Sequence, residues 1–513
     1  MKKNIILLAV LIFNFVLANS QPLDRSIQPK AAPANEIKIK DAQTFTLDNG
    51  LKVFVVEDHK LPQVYYSLRF DADDKTYGEK AGISHVFTKV AGEATTTMSK
   101  DELNKAFDLV GASFEFTAKN GYVSGLAKYR EKMIALFADV ILNPVFTDEE
   151  FDLAKTQTKS ELNFISTDAS QMMQIVSQIL MNGKNHPHGE MMTLESVEKI
   201  TIADIEEYYN TFIVPNVTKL VIVGDITLAQ AKADAEKYFG KWEKREVPKF
   251  EYEIPKYPEK PRVAFVHKED APQAVVKICY PVELKPFRGD CFEASLMERI
   301  LGGGTNGRLF QNLREKRGYT YGCYNSLNDD DVIGYYSAQA SVRSEIIDSA
   351  IQQILFEMNR IVDSAVTQKD IDDAKAYLMG DFGRSLQRSS TLANFAVALD
   401  KYDLPEDFFK NYLKKIDAVT IEGIQSAARK YILPQNAWII VVGDKKHASS
   451  LTQFAADGKV EIYDMYANLI ETIGSSGDYS MFLLGAAVVV LLIIFVLLQR
   501  STAKRRKALH NRK

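Results

Sequence analysis

Cysteine and histidine are both scarce in this chain. Three cysteines among 513 residues are too few, and too odd in number, for a disulfide framework. Seven histidines offer few metal ligands, and none of them has the His-x-x-Glu-His or His-Glu-x-x-His spacing with which a helix binds catalytic zinc. The sequence therefore predicts unbridged, buried cysteines and no helix-borne zinc site of its own.

Acidic residues are absent from both ends of the chain. Residues 1–20 contain two lysines and no acid, and residues 500–513 contain seven lysines and arginines and no acid. Because the formal net charge of the whole chain is −4, the body between the ends is acidic. An acidic body argues against nucleic acid as a partner, since that affinity comes from basic side chains on phosphates. The composition, 46% hydrophobic and 25% charged, is typical of a folded protein.

The two ends have the pattern of targeting segments. Residues 1–20 combine a basic start, a short apolar run and a small-residue cleavage site, which predicts a secretory signal peptide; an uncleaved anchor is the alternative. Residues 481–498 carry no charge, are long enough to span a bilayer and precede a basic tail at 499–513. The positive-inside rule then predicts a bacterial cell-envelope protein with one inner-membrane span, a periplasmic body, a tether at 474–480 and a cytoplasmic tail. A eukaryotic secretory membrane is the alternative.

The body of the chain repeats itself. Residues 201–225 (TIADIEEYYNTFIVPNVTKLVIVGD) align without a gap with residues 420–444 (TIEGIQSAARKYILPQNAWIIVVGD). Residues 147–155 align with residues 367–375 in the same order. Each copy of the longer repeat runs from an amphipathic helix through a proline turn into an apolar strand that ends in Gly-Asp. Two ordered matches of this kind indicate an internal duplication.

The duplication defines the predicted domains. We place two homologous domains at 40–245 and 262–460, with a proline-containing linker at 246–261 between them. Strands and helices alternate irregularly, and Asn49-Gly50 between two alternating runs predicts a β-hairpin. This order predicts an α+β fold in which each domain is an antiparallel-rich sheet backed by helices, followed by one C-terminal transmembrane helix.

Several segments together point to one peptidase family. They are LDNGLKVFVVED, AGISHVFTKV, GASFEFTAKNG, SELNF, NHPHG and ILGGGTNGRLFQNLREKRGYTYGCY. With these segments the body resembles the insulinase/pitrilysin-type zinc peptidases, which include mitochondrial processing peptidase. The resemblance covers about residues 40–460. It implies a two-domain half-shell, of which two are needed to enclose a chamber for peptides.

The resemblance also locates a zinc motif that this chain has lost. Active relatives carry His-x-x-Glu-His on a helix of the first domain: the histidines bind zinc, the glutamate activates water, and a later glutamate completes the site. Here the aligned residues are His85, Thr88 and Lys89, and Glu161 stands at the later position. Thr88 cannot act as a general base at neutral pH, and the charge of Lys89 opposes a divalent metal. We therefore expect no catalytic residue and no metal ligand among these vestigial positions, with His85 hydrogen-bonded in a filled pocket and Glu161 a solvated or helix-capping acid.

The second domain retains more of the family pattern. Arg314 and Tyr321 match an arginine and tyrosine that, in active relatives, contact the substrate backbone near the scissile bond. A guanidinium and a phenol are suitable donors to a peptide carbonyl and its developing oxyanion, so we predict both as substrate-binding residues. Two neighbouring patterns are predicted to be structural turns. Residues 302–308 are glycine-rich but lack the Gly-Lys-Ser/Thr ending of a phosphate loop, and His186 and His188 lie where the family has a turn.

Three functions fit this pattern. The first is a membrane-anchored, non-catalytic subunit of a heterodimeric zinc endopeptidase. A homologous partner would carry the zinc motif and the zinc, while this chain contributes Arg314, Tyr321 and a chamber wall for unfolded peptides. The second is a peptide-binding or scaffold protein without a peptidase role. The third is an active metalloendopeptidase with an atypical zinc site, which Thr88 and Lys89 oppose. The sequence leaves open whether the chain is an enzyme, since the family is catalytic but the motif is not intact.

Overall fold

A computed structural model describes Ile39 and residues 41–474. The predicted signal peptide, transmembrane segment and basic tail lie outside these residues, as does all of the predicted tether except Gly474.

Two predictions about the membrane are corrected. In the part of the chain that the structure describes, no helix is long and apolar enough to cross a bilayer. The two longest helices there, Asp148–Ile165 and Gln368–Ser385, have 18 residues each, but charged side chains recur along both. The C-terminal transmembrane helix in the predicted fold class and the predicted single-pass inner-membrane localisation therefore have no counterpart in this structure, and both are withdrawn.

The first half of the described chain forms a six-stranded sheet. Its strands are β1 (Gln43–Thr46), β2 (Lys52–Glu57), β3 (Gln63–Phe70), β4 (Ser113–Phe116), β5 (Asn120–Leu126) and β6 (Thr218–Gly224). They lie in the order β1-β2-β6-β3-β5-β4, with β2 and β6 parallel and the other neighbours antiparallel. β1 and β2 form the hairpin predicted at Asn49-Gly50, where Gly50 has a φ of 90° that favours glycine.

Helices back this sheet. They are α1 (Ile83–Val90), α2 (Lys100–Val110), α3 (Arg130–Leu142), α4 (Asp148–Ile165), α5 (Ala169–Asn182), α6 (Leu194–Lys199), α7 (Ile202–Phe212) and α8 (Leu228–Phe239). Side-chain caps define several of their starts: Ser99 and Glu102 form a capping box at α2, and the hydroxyl of Thr147 accepts from the amide of Glu150 at α4.

The second half forms a seven-stranded sheet. Its strands are β7 (Arg262–His267), β8 (Gln273–Val282), β9 (Cys323–Asn328), β10 (Gly334–Arg343), β11 (Trp438–Gly443), β12 (Val460–Tyr463) and β13 (Leu469–Ile473). They lie in the order β13-β12-β7-β11-β8-β10-β9, with β7 parallel to β11 and β12. Each half therefore has the antiparallel-rich sheet that the sequence predicted.

Helices also back the second sheet. They are α9 (Cys291–Leu301), α10 (Arg308–Phe310), which continues as a π-helix (Gln311–Lys316), α11 (Ile347–Asp363), α12 (Gln368–Ser385), α13 (Ser389–Lys401), α14 (Tyr412–Ala418) and α15 (Ile421–Tyr431). Short 3-10 helices lie at Gly78–Lys80, Ala127–Tyr129, Pro215–Val217, Ser344–Ile346, Pro434–Asn436 and Lys445–Phe454.

The duplication in sequence is a duplication in structure. Thr201 caps α7 and Thr420 caps α15, and each helix leads through a proline 3-10 turn into a buried strand. Those strands, β6 and β11, occupy equivalent places beside the parallel neighbours β2 and β7. The predicted two-domain α+β fold is confirmed, while the domain boundaries themselves stay predictions. All three cysteines are unbridged; Cys279 and Cys323 are buried as expected, whereas Cys291 is only partly buried.

Each half contributes one helix that packs on the sheet of the other half. α5, from the first half, packs Met172, Met173 and Val176 against the outer face of the second sheet. α13, from the second half, packs Ala393 and Ala396 against the outer face of the first sheet. Because each half buries apolar surface that belongs to the other, the two sheets are held in one body.

Candidate functional site

The vestigial zinc positions lie on two packed helices. His85 and Lys89 are four residues apart on α1, so both face the same side, and Glu161 on α4 lies opposite them. α1 begins after Gly82, whose φ of 105° favours glycine. A Cβ at Gly82 would lie 2.9 Å from the Cβ of Met192, so the start of α1 is held close to its neighbour.

Glu161 is bonded on both carboxylate oxygens. Oε2 lies 3.0 Å from Nε2 of His85, and Oε1 lies 2.7 Å from Nζ of Lys89. Partial burial raises the pKa of Glu161, but the hydrogen bonds from Lys89 and His85 outweigh it and hold the pKa below its ordinary value. The cluster is only partly shielded, since the Glu161 side chain is 45% exposed. An ammonium group therefore neutralises the carboxylate where the family places a metal.

Thr88, at the position of the general base, takes part in packing. Its hydroxyl donates to the carbonyl of Ser84 at 2.8 Å and accepts from the amide of Ala118 at 3.1 Å. These bonds connect α1 to the segment between β4 and β5. A hydroxyl used in this way, with an alcohol's very low acidity, cannot remove a proton from water.

The residues present do not fit a catalytic zinc ion. Catalytic zinc takes three protein ligands, and the position of the second histidine is filled by Lys89, which has three donors and no acceptor when charged. Over the described residues, no group of three or more histidine, cysteine, aspartate or glutamate side chains could hold a metal. A metal at this place would have to displace the Lys89 ammonium from Glu161.

Beside α1 runs an open sheet edge. β4 is the outer strand of the first sheet. The ring of Phe116 on β4 meets the ring of Phe87 on α1 edge-to-face at 5.5 Å, so strand and helix are held together. An outer strand presents unpaired backbone donors and acceptors, to which an extended peptide can add as a further strand.

Arg314 and Tyr321 lie in the second half, on a well-anchored segment. Arg314 is on the π-helix that follows α10, and its guanidinium lies 4.9 Å from the ring of Phe310 and 3.6 Å from the carboxylate of Glu315. Tyr321 lies just before β9 and is 84% exposed. Both side chains therefore reach solvent, and the structure gives neither a hydrogen bond with the His85–Glu161–Lys89 cluster among the residues it describes.

The π-helix is fixed from beneath. The buried amide of Asn312 donates to a carboxylate oxygen of Glu357 at 2.8 Å, and Arg317 Nε donates to Asn312 Oδ1 at 2.8 Å. These bonds use charged partners, which makes them stronger than neutral ones. Arg314 is thus displayed from a rigid base, and sequence reasoning did not identify this support because it comes from α11, well away along the chain.

The predicted histidine turn is present. The backbone amide of His188 donates to Nδ1 of His186 at 3.1 Å, and the carbonyl of His186 accepts from Gly189 and Glu190. Burial lowers the pKa of His186. His188 lies 3.9 Å from Asp74 of the first half and 3.8 Å from Asp330 of the second, a meeting that no spacing in the sequence indicates.

The comparisons with known proteins agree with this geometry. Residues 56–192 match the family model described as insulinase (peptidase family M16), and residues 199–378 match the one described as the peptidase M16 inactive domain. Together the matches span more than half of the chain. The chain belongs to the insulinase family.

Relatives of this insulinase-family chain have mixed descriptions. It is 22% identical to a non-peptidase homologue, YmxG, of Helicobacter pylori over 78% of this chain and 93% of that protein. It is also 22% identical to an uncharacterized zinc protease, YmxG, of Bacillus subtilis over 77% of this chain and 97% of that protein. A crystal structure of a peptidase M16 inactive domain from Pseudomonas fluorescens matches with a TM-score of 0.72 at 22% identity, covering 79% of this chain and 98% of that one. The fold is therefore the one shared by the M16 peptidase family and its non-peptidase homologues.

Proposed function

We propose that this protein is the non-catalytic subunit of a heterodimeric zinc endopeptidase. The observation that carries the proposal is the Lys89–Glu161 ion pair, in which an ammonium lies 2.7 Å from the carboxylate that would otherwise bind metal. A chain that neutralises this carboxylate internally has no use for zinc of its own. Zinc and the general base would then come from a homologous partner with an intact His-x-x-Glu-His motif.

The exposed donors of the second half support a role toward a ligand outside the chain. A tyrosine that is 84% exposed and a half-exposed guanidinium contribute little to the stability of the fold, so we infer that they serve to bind a ligand. Arg314 and Tyr321 would donate to the carbonyl of an unfolded peptide held in the partner's active site. The open edge of β4 would bind peptide backbone on the wall formed by the first half.

The test begins with the intact protein. The tagged chain is isolated from its native cells, co-purifying chains are identified by mass spectrometry, and the pair is reconstituted for peptide cleavage. We expect a stoichiometric partner that carries His-x-x-Glu-His. Removing one preorganised donor to a developing oxyanion typically costs about 10²–10³-fold in rate, so we expect Arg314→Ala and Tyr321→Phe each to lower cleavage by the pair on that order.

Matched controls make the result specific. Lys316→Ala removes an exposed cation from the same π-helix, and Tyr257→Phe removes a hydroxyl from an exposed tyrosine in the linker. Both should leave cleavage unchanged. If no zinc-bearing partner is found and the chain alone binds peptide, the peptide-binding or scaffold function replaces this proposal. If the purified chain alone cleaves peptide with bound zinc, the atypical metalloendopeptidase does.

A further inference from the structure

Three polar side chains of the second half lie near one another without a hydrogen-bond partner among the described residues. Asn325 on β9 is 4% exposed and Tyr336 on β10 is fully buried. In the part of the chain that the structure describes, the side-chain amide nitrogen and oxygen of Asn325 have no hydrogen-bond partner. The hydroxyl of Tyr336 has none either. The third side chain, Glu298 of α9, is partly buried, and its carboxylate likewise makes no hydrogen bond with a described residue. Buried polar groups in native proteins are nearly always paired, so this cluster requires an explanation.

The register of the sheet places the first two side chains together. Asn325 lies opposite Ala338, and Tyr336 lies opposite Leu327. Asn325 and Tyr336 are therefore diagonal neighbours on the face that points inward. Glu298 reaches the same place from α9, close enough for its charge to act on Tyr336.

A turn of three glycines, 302–304, approaches two of these side chains. The carbonyl of Gly302 accepts a hydrogen bond from the backbone N–H of Asn325 at 3.3 Å. A Cβ on Gly302 would lie 2.7 Å from Oδ1 of Asn325, and a Cβ on Gly303 would lie 2.7 Å from Oε2 of Glu298. Glycine is thus required at both positions for the turn to approach the two side chains.

Among the described residues, no cation bonds to Glu298. Burial raises its pKa to about 7, and the charge of Arg299 opposes that rise. The Arg299 guanidinium points elsewhere: it donates to the carbonyl of Gly303 and lies 3.3 Å from the ring centre of Tyr377. The carboxylate is therefore partly buried near two neutral oxygen ligands, and no described cation is in contact with it.

We propose that Glu298, Asn325 and Tyr336 bind a monovalent cation, sodium or potassium, beneath the glycine turn. The chemistry follows from the donor set. A carboxylate, an amide oxygen and a phenol oxygen are hard ligands, and one carboxylate balances one positive charge, whereas divalent ions in proteins usually need more than one. Because the turn leads directly into α10 and its π-helix, the bound ion would fasten the segment that displays Arg314.

The experiment measures thermal unfolding of the full chain. Sodium, potassium or N-methylglucamine chloride is varied at constant ionic strength and constant scan rate. We expect sodium or potassium to raise the apparent Tm in a saturable way by at least about 2 °C, because a ligand that binds only the folded state stabilises it by mass action. Tyr336→Phe should remove this response without lowering the Tm in N-methylglucamine, since the lost hydroxyl has no protein partner.

A second variant and a control complete the test. Glu298→Gln keeps the shape but removes the charge, and it should also abolish the response; Glu293→Gln on the same helix should retain it. The proposal is overturned if the wild-type Tm is the same in all three salts, which would mean ordered water only. It is also overturned if Tyr336→Phe and Glu298→Gln respond like wild type, or if calcium and not a monovalent ion gives the saturable rise.

Discussion

The vestigial zinc cluster and the Arg314 segment differ in how far their polar side chains are bonded within the chain. In the first, both oxygens of Glu161 are bonded, by His85 and by Lys89, within the chain. In the second, Tyr321 is 84% exposed, and the half-exposed Arg314 lies 3.6 Å from the carboxylate of its neighbour Glu315. A satisfied cluster must break its own bonds before it can take a ligand, whereas exposed donors can act on a ligand at once. The proposed function predicts this difference, since it has the chain receive peptide at the second region and leave the chemistry to a partner.

The largest effect is expected from restoring the zinc motif in the first region. Thr88→Glu combined with Lys89→His rebuilds His-x-x-Glu-His on α1, and Glu161 already lies across from it at bonding distance. Two histidines four residues apart and one carboxylate are the ligand set of catalytic zinc. We therefore expect the double variant to bind about one zinc per chain, while the wild type binds none in the same assay, as measured by metal analysis after dialysis.

The control for the restored site removes the third ligand. Adding Glu161→Gln to the double variant should abolish stoichiometric zinc without unfolding the chain. A folded double variant that takes up no zinc would show that α1 and α4 do not present a metal geometry, and the interpretation of Lys89 as a substitute for the metal would then be wrong.

A smaller effect is expected from removing the charge of Glu161. The pKa of Glu161 is lowered in the folded state, so its ion pair stabilises the fold above its ordinary pKa of 4.5 and loses that contribution as pH falls through the folded pKa. Because the pair is about half exposed, we expect Glu161→Gln to lower the free energy of unfolding by about 0.5–1 kcal/mol at pH 7. The deficit should shrink toward zero below pH 4.5. Glu206→Gln on α7, also exposed, is the control and should show no such pH dependence in urea unfolding.

The smallest effect should be at the exposed donors. Arg314→Ala and Tyr321→Phe are each expected to change the free energy of unfolding by less than about 0.5 kcal/mol, because exposed side chains seldom contribute more. Denaturant unfolding at neutral pH measures this. A loss above 1 kcal/mol would assign Arg314 or Tyr321 to the fold, and any loss of cleavage by the reconstituted pair could then no longer be attributed to peptide binding.

Much of the fold could be predicted because its signals are local. The repeat at residues 201–225 and 420–444 predicted two homologous domains, and the Asn49-Gly50 hairpin and the threonine-capped helices followed from short-range patterns. The membrane prediction also came from a local pattern, but it falls on residues outside those described, and the described helices are too polar to replace it.

The interior of the site could not be predicted in the same way. We expected Glu161 to be a solvated or capping acid; its side chain is 45% exposed, but the expectation did not include its bonds to two residues of α1. Helical periodicity places His85 and Lys89 on one face but does not identify the partner of that face. The partner lies 72 residues beyond Lys89 and meets it only when α4 packs on α1.

The sequence by itself determined that this chain lacks the family's general base, because the acidity of a threonine hydroxyl does not depend on the fold. It also determined the family, since the motifs that identify it are contiguous. Only the tertiary structure decided that Lys89 neutralises Glu161 and that Asn325, Tyr336 and Glu298 lie near one another. Both arrangements depend on how helices pack on one another and on sheets. Such packing brings together residues whose separation along the chain does not indicate their distance in space.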